Sequence, residues 1–228
     1  MQKKYSFTLF LLLGATGSFG QVRFGIQGSG QIASFKLIAP SDLPALATFE
    51  TNFFKPIVGF RAGIMADIRL KDKWALRPQL LYAARGSKFD FSHLSTVTGV
   101  DLNDFNSTLD YHYLEIPVLV TYSLKIGVGQ VVAGTGPYVA YLLSASESTI
   151  KSRNKVQANL ANGDRLDYGL TASAGYELPG GLTLSAYYLL GLANMSTGVE
   201  TPNTISGSVN AYNRTFGLTV GYFFGAGN

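Results

Sequence analysis

The sequence predicts an all-β fold, an eight-stranded antiparallel up-and-down transmembrane β-barrel, and three observations carry that prediction. Apolar and polar residues alternate with a period of two along eight segments, and the joints between those segments alternate short and long. No uninterrupted apolar run approaches the roughly 18 residues that a transmembrane helix needs. The tight joints are 71–73, 125–129 and 179–181, whereas 34–55, 88–110, 144–166 and 193–211 each run to roughly twenty residues. Outer-membrane barrels show this asymmetry, with short periplasmic turns and longer outer loops.

The chain opens on Lys3 and Lys4, an apolar stretch over 7–13, and small residues leading to Ser18, Phe19 and Gly20. This reads as a secretory signal over residues 1–20, with cleavage expected before Gln21 and the barrel domain over 21–228. Without those two lysines the 18 basic residues fall to 16, against 14 acidic ones, so the positive formal charge is no argument for a nucleic-acid partner. The absence of cysteine predicts neither a disulfide framework nor N-terminal lipidation.

Each strand follows from the side-chain period, since successive residues point to opposite faces. Segment 22–33 sets Phe24, Ile26 and Ile32 against Arg23, Gln27, Ser29 and Gln31. In 56–70 every even position from Val58 to Leu70 is apolar, and the odd ones include Gly59, Arg61, Gly63, Asp67 and Arg69. Segment 74–86 opposes Leu76, Leu80 and Tyr82 to Arg77, Gln79 and Arg85, and 111–124 opposes Leu114, Ile116, Val118 and Val120 to Glu115, Thr121 and Ser123. Segments 167–178, 182–192 and 212–224 repeat the pattern. In 130–143 the parity is open, because Val131, Ala133, Val139 and Tyr141 compete with Val132, Tyr138 and Leu142 for the apolar side.

A soluble barrel around an apolar cavity would alternate too, so two further features decide which solvent each face meets. The polar face is rich in small residues, among them Gly25, Gly59, Gly63, Gly169, Thr171, Ser173, Gly217 and Thr219. Glycine weakens a strand and gains nothing on a solvated face, but a crowded eight-stranded interior needs the room. The apolar face carries aromatics near its ends: Phe24, Trp74, Tyr122, Tyr176 and Tyr222 at the periplasmic edge, and Phe60, Tyr82, Tyr168, Tyr188 and Tyr212 towards the other. Two such belts are expected at lipid headgroup level.

By parity the inward charges are Arg23, Arg61, Arg69, Arg77 and Arg85 with Asp67, Glu115, Asp167 and Glu177. Their signs nearly cancel, which predicts an interior polar network, with Arg61, Asp67, Arg77, Arg85, Glu115 and Glu177 as its members, rather than a lined channel. A turn centred on Asp72 sets Asp67 against Arg77; a joint that brings Gly86 or Ser87 opposite Tyr111 sets Glu115 level with Ala83, near Arg61, with Arg85 on the diagonal, which gives two clusters that cross-link neighbouring strands, one low and one high. The competing reading makes these groups a gate or ligand site.

The residues Arg77-Pro78-Gln79-Leu80-Leu81-Tyr82, then Arg85-Gly86-Ser87-Lys88, then Tyr113-Leu114-Glu115-Ile116-Pro117-Val118-Leu119 resemble the PorT-like outer-membrane barrel family. The stretch Gly134-Thr135-Gly136-Pro137-Tyr138 and the closing segment over 217–224 are similar to it as well, while Gln79 stands where the family usually has an acid. The resemblance implies an eight-stranded outer-membrane barrel, usually without a known ligand, with some relatives serving as accessory parts of protein secretion. Thr215, Gly217, Val220 and Tyr222 resemble an outer-membrane assembly signal.

Catalysis would need a nucleophile, a base and an orienting group in reach of one another. The two histidines are His93 and His112; His112 shares parity with the lipid-facing residues, and His93 lies in a polar loop with Ser95 and Asp90. No metal-ligand spacing and no phosphate-cradling turn occurs, so no cofactor is indicated. The long loops offer binding surfaces: 41–54 brings Leu43, Leu46, Phe49, Phe53 and Phe54 over the barrel mouth or onto a partner, and Lys151, Arg153, Lys155 and Arg165 face solvent or lipopolysaccharide phosphates. The expected protein is a bacterial outer-membrane barrel of structural or accessory role, with no catalysis. Its expected partners are outer-membrane lipids, lipopolysaccharide and envelope or secretion proteins. The alternatives are a small-ligand or transport barrel and a lipid-directed hydrolase using His93 and Ser95.

Overall fold

A computed structural model of the chain describes residues 22–38, 54–89, 95, 99, 101, 106–149, 156–157, 165–194 and 210–225. Strands β1 (Val22–Ile38), β2 (Phe54–Lys71), β3 (Trp74–Phe89), β4 (Ser107–Ile126) and β5 (Gly129–Thr149) precede a two-residue β6 (Val156–Gln157). Strands β7 (Leu166–Glu177), β8 (Leu182–Gly191) and β9 (Asn210–Phe223) follow. Apart from β6, which pairs only with the outer end of β5, each strand is hydrogen-bonded antiparallel to its sequence neighbours, and β9 returns to β1 to close the ring. Closure leaves no open edge in the bilayer, where an unpaired backbone group costs several kcal/mol.

The ladder fixes the barrel's geometry. Following direct partners from Val22 through Ile68, Leu76, Val120, Thr135, Ala172, Tyr188 and Phe216 returns to β1 at Ile32, ten residues further along. A ten-residue stagger over eight strands corresponds to a tilt of about 40° and a backbone diameter of about 16 Å, an interior that side chains can fill. The two aromatic belts lie about eight residues apart along a strand, which at that tilt separates them by about 20 Å.

The outer face is apolar from belt to belt, with Val58, Phe60, Ile64, Leu80, Ile116, Val139, Leu170, Leu184, Leu218 and Val220 exposed. Phe24, Trp74, Tyr82, Tyr168, Tyr188 and Tyr222 are exposed on that face, and Tyr122, Tyr176 and Tyr212 are partly covered on it. Trp74 packs against Tyr122 with ring centroids 4.9 Å apart, and the Tyr82 hydroxyl lies 2.7 Å from Nδ1 of His112. The open parity of β5 resolves with Val131, Ala133, Val139 and Tyr141 outward and Val132, Tyr138, Ala140 and Leu142 inward.

Two sequence expectations need correction. Strands run further than expected on the outer side: β4 has 20 residues and β5 has 21, so 107–110 and 144–149 are strand rather than loop. Apolar alternation ends there at Thr108, Asp110, Ser144, Ser146 and Ser148, beyond the bilayer, while the ladder continues to Ser107↔Thr149. Secondly, Glu115 faces Leu81 rather than Ala83, because Arg85, not Gly86 or Ser87, lies opposite Tyr111. The joint between β3 and β4 is too long for its turn residues to fix this register from sequence, as a two-residue hairpin turn does.

The short joints have local causes. Asp72 takes a left-handed φ of 48° in the β2–β3 turn, and Gly127 and Gly181 take φ of 65° and 87° in the other two. The Tyr176 hydroxyl donates to the Ile126 carbonyl at 2.7 Å and accepts from the Gly129 amide at 2.8 Å, so a belt tyrosine also clamps the β4–β5 turn.

Inside, Gly217 is one of the positions where small size matters, since a Cβ there would collide with the ring of Tyr187. Gly217→Val is expected to abolish the compact, heat-modifiable species on cold gel electrophoresis, whereas Leu218→Val, on the lipid face, leaves it intact; equal behaviour of the two variants would contradict this packing.

Candidate functional site

The lumen is built in layers from inward positions of the eight ring strands. Nearest the periplasm, Arg23 of β1 is the direct partner of Asp67 of β2, and the two side chains bond at 2.8 Å. Asp67 also accepts from Arg77 of β3, from Nε at 2.9 Å and Nη2 at 2.8 Å. Glu177 of β7 reaches across to Arg23 at 2.5 Å and to Arg77 at 3.7 Å. The buried ring of Phe223 is flanked by both guanidinia, with Arg23 Cζ 4.6 Å and Arg77 Cζ 4.9 Å from its centroid. Two cations and two anions thus close the lower lumen around one aromatic ring.

Above them a polar middle layer joins Gln27 to Gln79 at 2.7 Å and Ser29 to Thr219 at 2.7 Å. The amide at Gln79 therefore pairs with another amide and adds no charge. The free space in this layer is about 40 Å³, bounded by Arg77 below and Arg61 above. That is room for a few waters.

The upper layer again holds two cations and two anions. Arg85 of β3 forms ion pairs with Glu115 of β4 and, at 3.4 Å across the barrel, with Asp167 of β7. Arg61 of β2 lies 3.6 Å from Glu115 and stacks on Tyr187 with Cζ 3.4 Å from the ring centroid. The Tyr187 hydroxyl donates to Gln31 Oε1 at 2.6 Å, whose amide in turn donates to the carbonyls of Phe60 and Ala84 at 3.1 and 2.9 Å. Asp167 also accepts from Tyr138 at 3.1 Å and Asn213 at 2.8 Å. Glu115 and Asp167 are 0% exposed, so little solvent screening weakens these contacts. At the outer end Ala83, Tyr113, Tyr138, Ala140, Leu142, Ala145 and Leu189 form an apolar cluster.

The six residues expected to form the interior network all face the lumen, in one low and one high group: Asp67, Arg77 and Glu177 below, and Arg61, Arg85 and Glu115 above. Arg69 does not join them; it is exposed at the periplasmic mouth, next to a register shift between Arg69 and Lys71 that ends regular pairing. Sequence reasoning missed the aromatic partners Tyr187 and Phe223 and the donors Tyr138 and Asn213. Parity places Tyr187, Phe223 and Asn213 inside but leaves Tyr138 open, and several of their partners, such as Arg61 and Gln31 for Tyr187 and Asp167 for Asn213, sit on strands that are not neighbours. His93 and Asp90 of the hydrolase reading lie outside the described residues, as do 41–53 and Lys151, Arg153 and Lys155. Among the described residues no three His, Asp or Glu side chains gather as metal ligands.

Removing one member of a buried ion pair strands its partners, at a cost of about 3 to 5 kcal/mol. Glu115→Gln is expected to lower the unfolding free energy in lipid vesicles by that amount, with a lower urea midpoint, read from Trp74 fluorescence. Asp72→Asn, at an exposed turn, should stay within about 0.5 kcal/mol of the parent. A Glu115→Gln midpoint equal to the parent's would show that the upper layer does not depend on its charges.

The family comparison agrees with a barrel of this kind. The family described as outer membrane protein beta-barrel domain matches residues 3–197. No curated protein matches the sequence. Among solved structures, the chain is similar to OprG from Pseudomonas aeruginosa at 12% identity and TM-score 0.46, over 90% of this chain and 96% of that one. Neisserial surface protein A aligns at 14% identity and TM-score 0.43, over 87% and 96%. Ail, the attachment invasion locus protein of Yersinia pestis, aligns at 13% identity and TM-score 0.42, over 90% and 99%. With the family matched across most of its length, the chain belongs to the outer-membrane β-barrel proteins and resides in the bacterial outer membrane.

Proposed function

We propose that this protein is a non-conducting structural or accessory barrel that acts through what it presents outside the bilayer, and that it performs no catalysis. The observation that carries the reading is the charge-balanced layering of the lumen: two groups of two cations and two anions, with a polar layer between them and an apolar cluster at the outer end. A pathway for a hydrated solute would have to break both groups, each break leaving ions unpaired at several kcal/mol.

The tall side of the barrel supports the same role. Strands β4 and β5 continue well past the upper aromatic belt, whereas β7 and β8 have only 12 and 10 residues. A wall of that height carries β4 and β5 beyond the upper belt, where lipopolysaccharide and envelope or secretion partners are within reach. The motifs over 77–88 and 113–119 favour a place in the PorT-like group, and Lys3, Lys4 and the apolar stretch after them favour an exported precursor cleaved before Gln21.

Purified protein in planar bilayers bathed in concentrated potassium chloride is expected to give no discrete conductance steps. Sustained unitary steps would instead make it a transport barrel. In the same preparations, deacylation of lipopolysaccharide or phospholipid is expected to stay at background for the parent and for His93→Ala alike; activity lost on that substitution would establish the hydrolase.

A further inference from the structure

The lumen layers are neutral, but the periplasmic mouth is not. Below the lower ion-pair group lies a vestibule of about 420 Å³, within the size range of ligand sites. Its floor is Asp67, whose carboxylate is already shared by Arg23 and Arg77. Its rim carries Arg69, Lys73 and Lys125 against a single further acid, Asp72, and all four are exposed. None of the three rim cations has a carboxylate within 4 Å among the described residues. The three cations come from neighbouring turns, held together where the Ser123 amide donates to the Lys73 carbonyl at 2.9 Å.

We propose that this vestibule binds a phosphate ester anion. Ammonium and guanidinium groups converge there in a concave site, the arrangement that suits phosphate oxygens, and Ser123 and Gln130 line the same space as neutral donors. The wall of the vestibule also includes Trp74 and Leu124, which face the membrane rather than the lumen. The site therefore opens onto the headgroup level of the inner leaflet, and an anionic phospholipid headgroup is the source that this geometry favours. A soluble phosphate ester of the periplasm shares the chemistry. The inference goes beyond the accessory-barrel reading and does not depend on it.

The test is native mass spectrometry of the whole protein released from non-ionic detergent, with phosphatidylglycerol, phosphatidylcholine and glycerol 1-phosphate as ligands. The parent is expected to retain phosphatidylglycerol about tenfold over phosphatidylcholine, and Arg69→Gln/Lys73→Gln/Lys125→Gln should lose that preference. Asp72→Asn, which removes the opposing charge and leaves the wall untouched, should raise retention about threefold and so keeps the test decisive if the triple variant fails to fold. Tight binding of glycerol 1-phosphate without a lipid preference, lost in the triple variant, would keep the phosphate site and assign it a soluble ligand. Equal retention of both lipids by the parent with no binding of glycerol 1-phosphate, or a phosphatidylglycerol preference that survives the triple variant, would overturn it.

Discussion

Closure of the sheet is the constraint on which everything else rests. A strand in hydrocarbon has no water to satisfy its amides and carbonyls, so the wall must pair with itself all the way round, and here β9 meets β1 over the run from Gly25↔Phe223 to Ile38↔Asn210. Closing eight strands with a ten-residue stagger sets the diameter, and the diameter sets what the interior can hold. Some large side chains fit inside because a small one faces them, as Gly169 faces Tyr138. Tyr187 lies over Gly217, and that placement puts its ring under the guanidinium of Arg61.

Once the interior is narrow and dry, charge has to balance locally. The eight buried or half-buried ions divide into two groups, each neutral, and each spans strands that are not neighbours in the ring. Asp167 on β7 and Arg85 on β3 meet across the lumen, as do Glu177 and Arg23. Such contacts brace opposite walls, so the ions contribute rigidity as well as obstruction. The same reasoning makes the periplasmic mouth stand out, since only there do cations exceed anions in the described interior.

Much of this architecture was legible in the residues themselves. Alternation identified which side chains face in for seven strands, and the two-residue turn at Asp72 placed Asp67 beside Arg77. Legibility failed where the physical signal is absent. In β5, Tyr138 and Leu142 are apolar but inward, because the outer lumen is packed with hydrocarbon, and apolarity there no longer distinguishes the faces. Strand ends beyond the bilayer lost their alternation while keeping their ladder, as at Ser144, Ser146 and Ser148. The β3–β4 register rests on a long joint, so Glu115 could be placed only to within two residues. Phe223 and Tyr187 were recognisable as inward by parity, but the cations they meet depend on the stagger of the whole ring, which no single segment encodes.

The central claim is that hydrocarbon bathes the outside of this sheet and packed polar groups fill its inside. Because the chain has no cysteine, single cysteines can be placed along β2 from Phe60 to Ile68 and spin-labelled in lipid vesicles, with collision by oxygen measured against collision by a water-soluble nickel complex. The account predicts a period-two oscillation in oxygen accessibility, with maxima at Phe60, Ala62, Ile64, Ala66 and Ile68 and minima at the positions between. A flat profile, or maxima at Arg61, Met65 and Asp67, would contradict it.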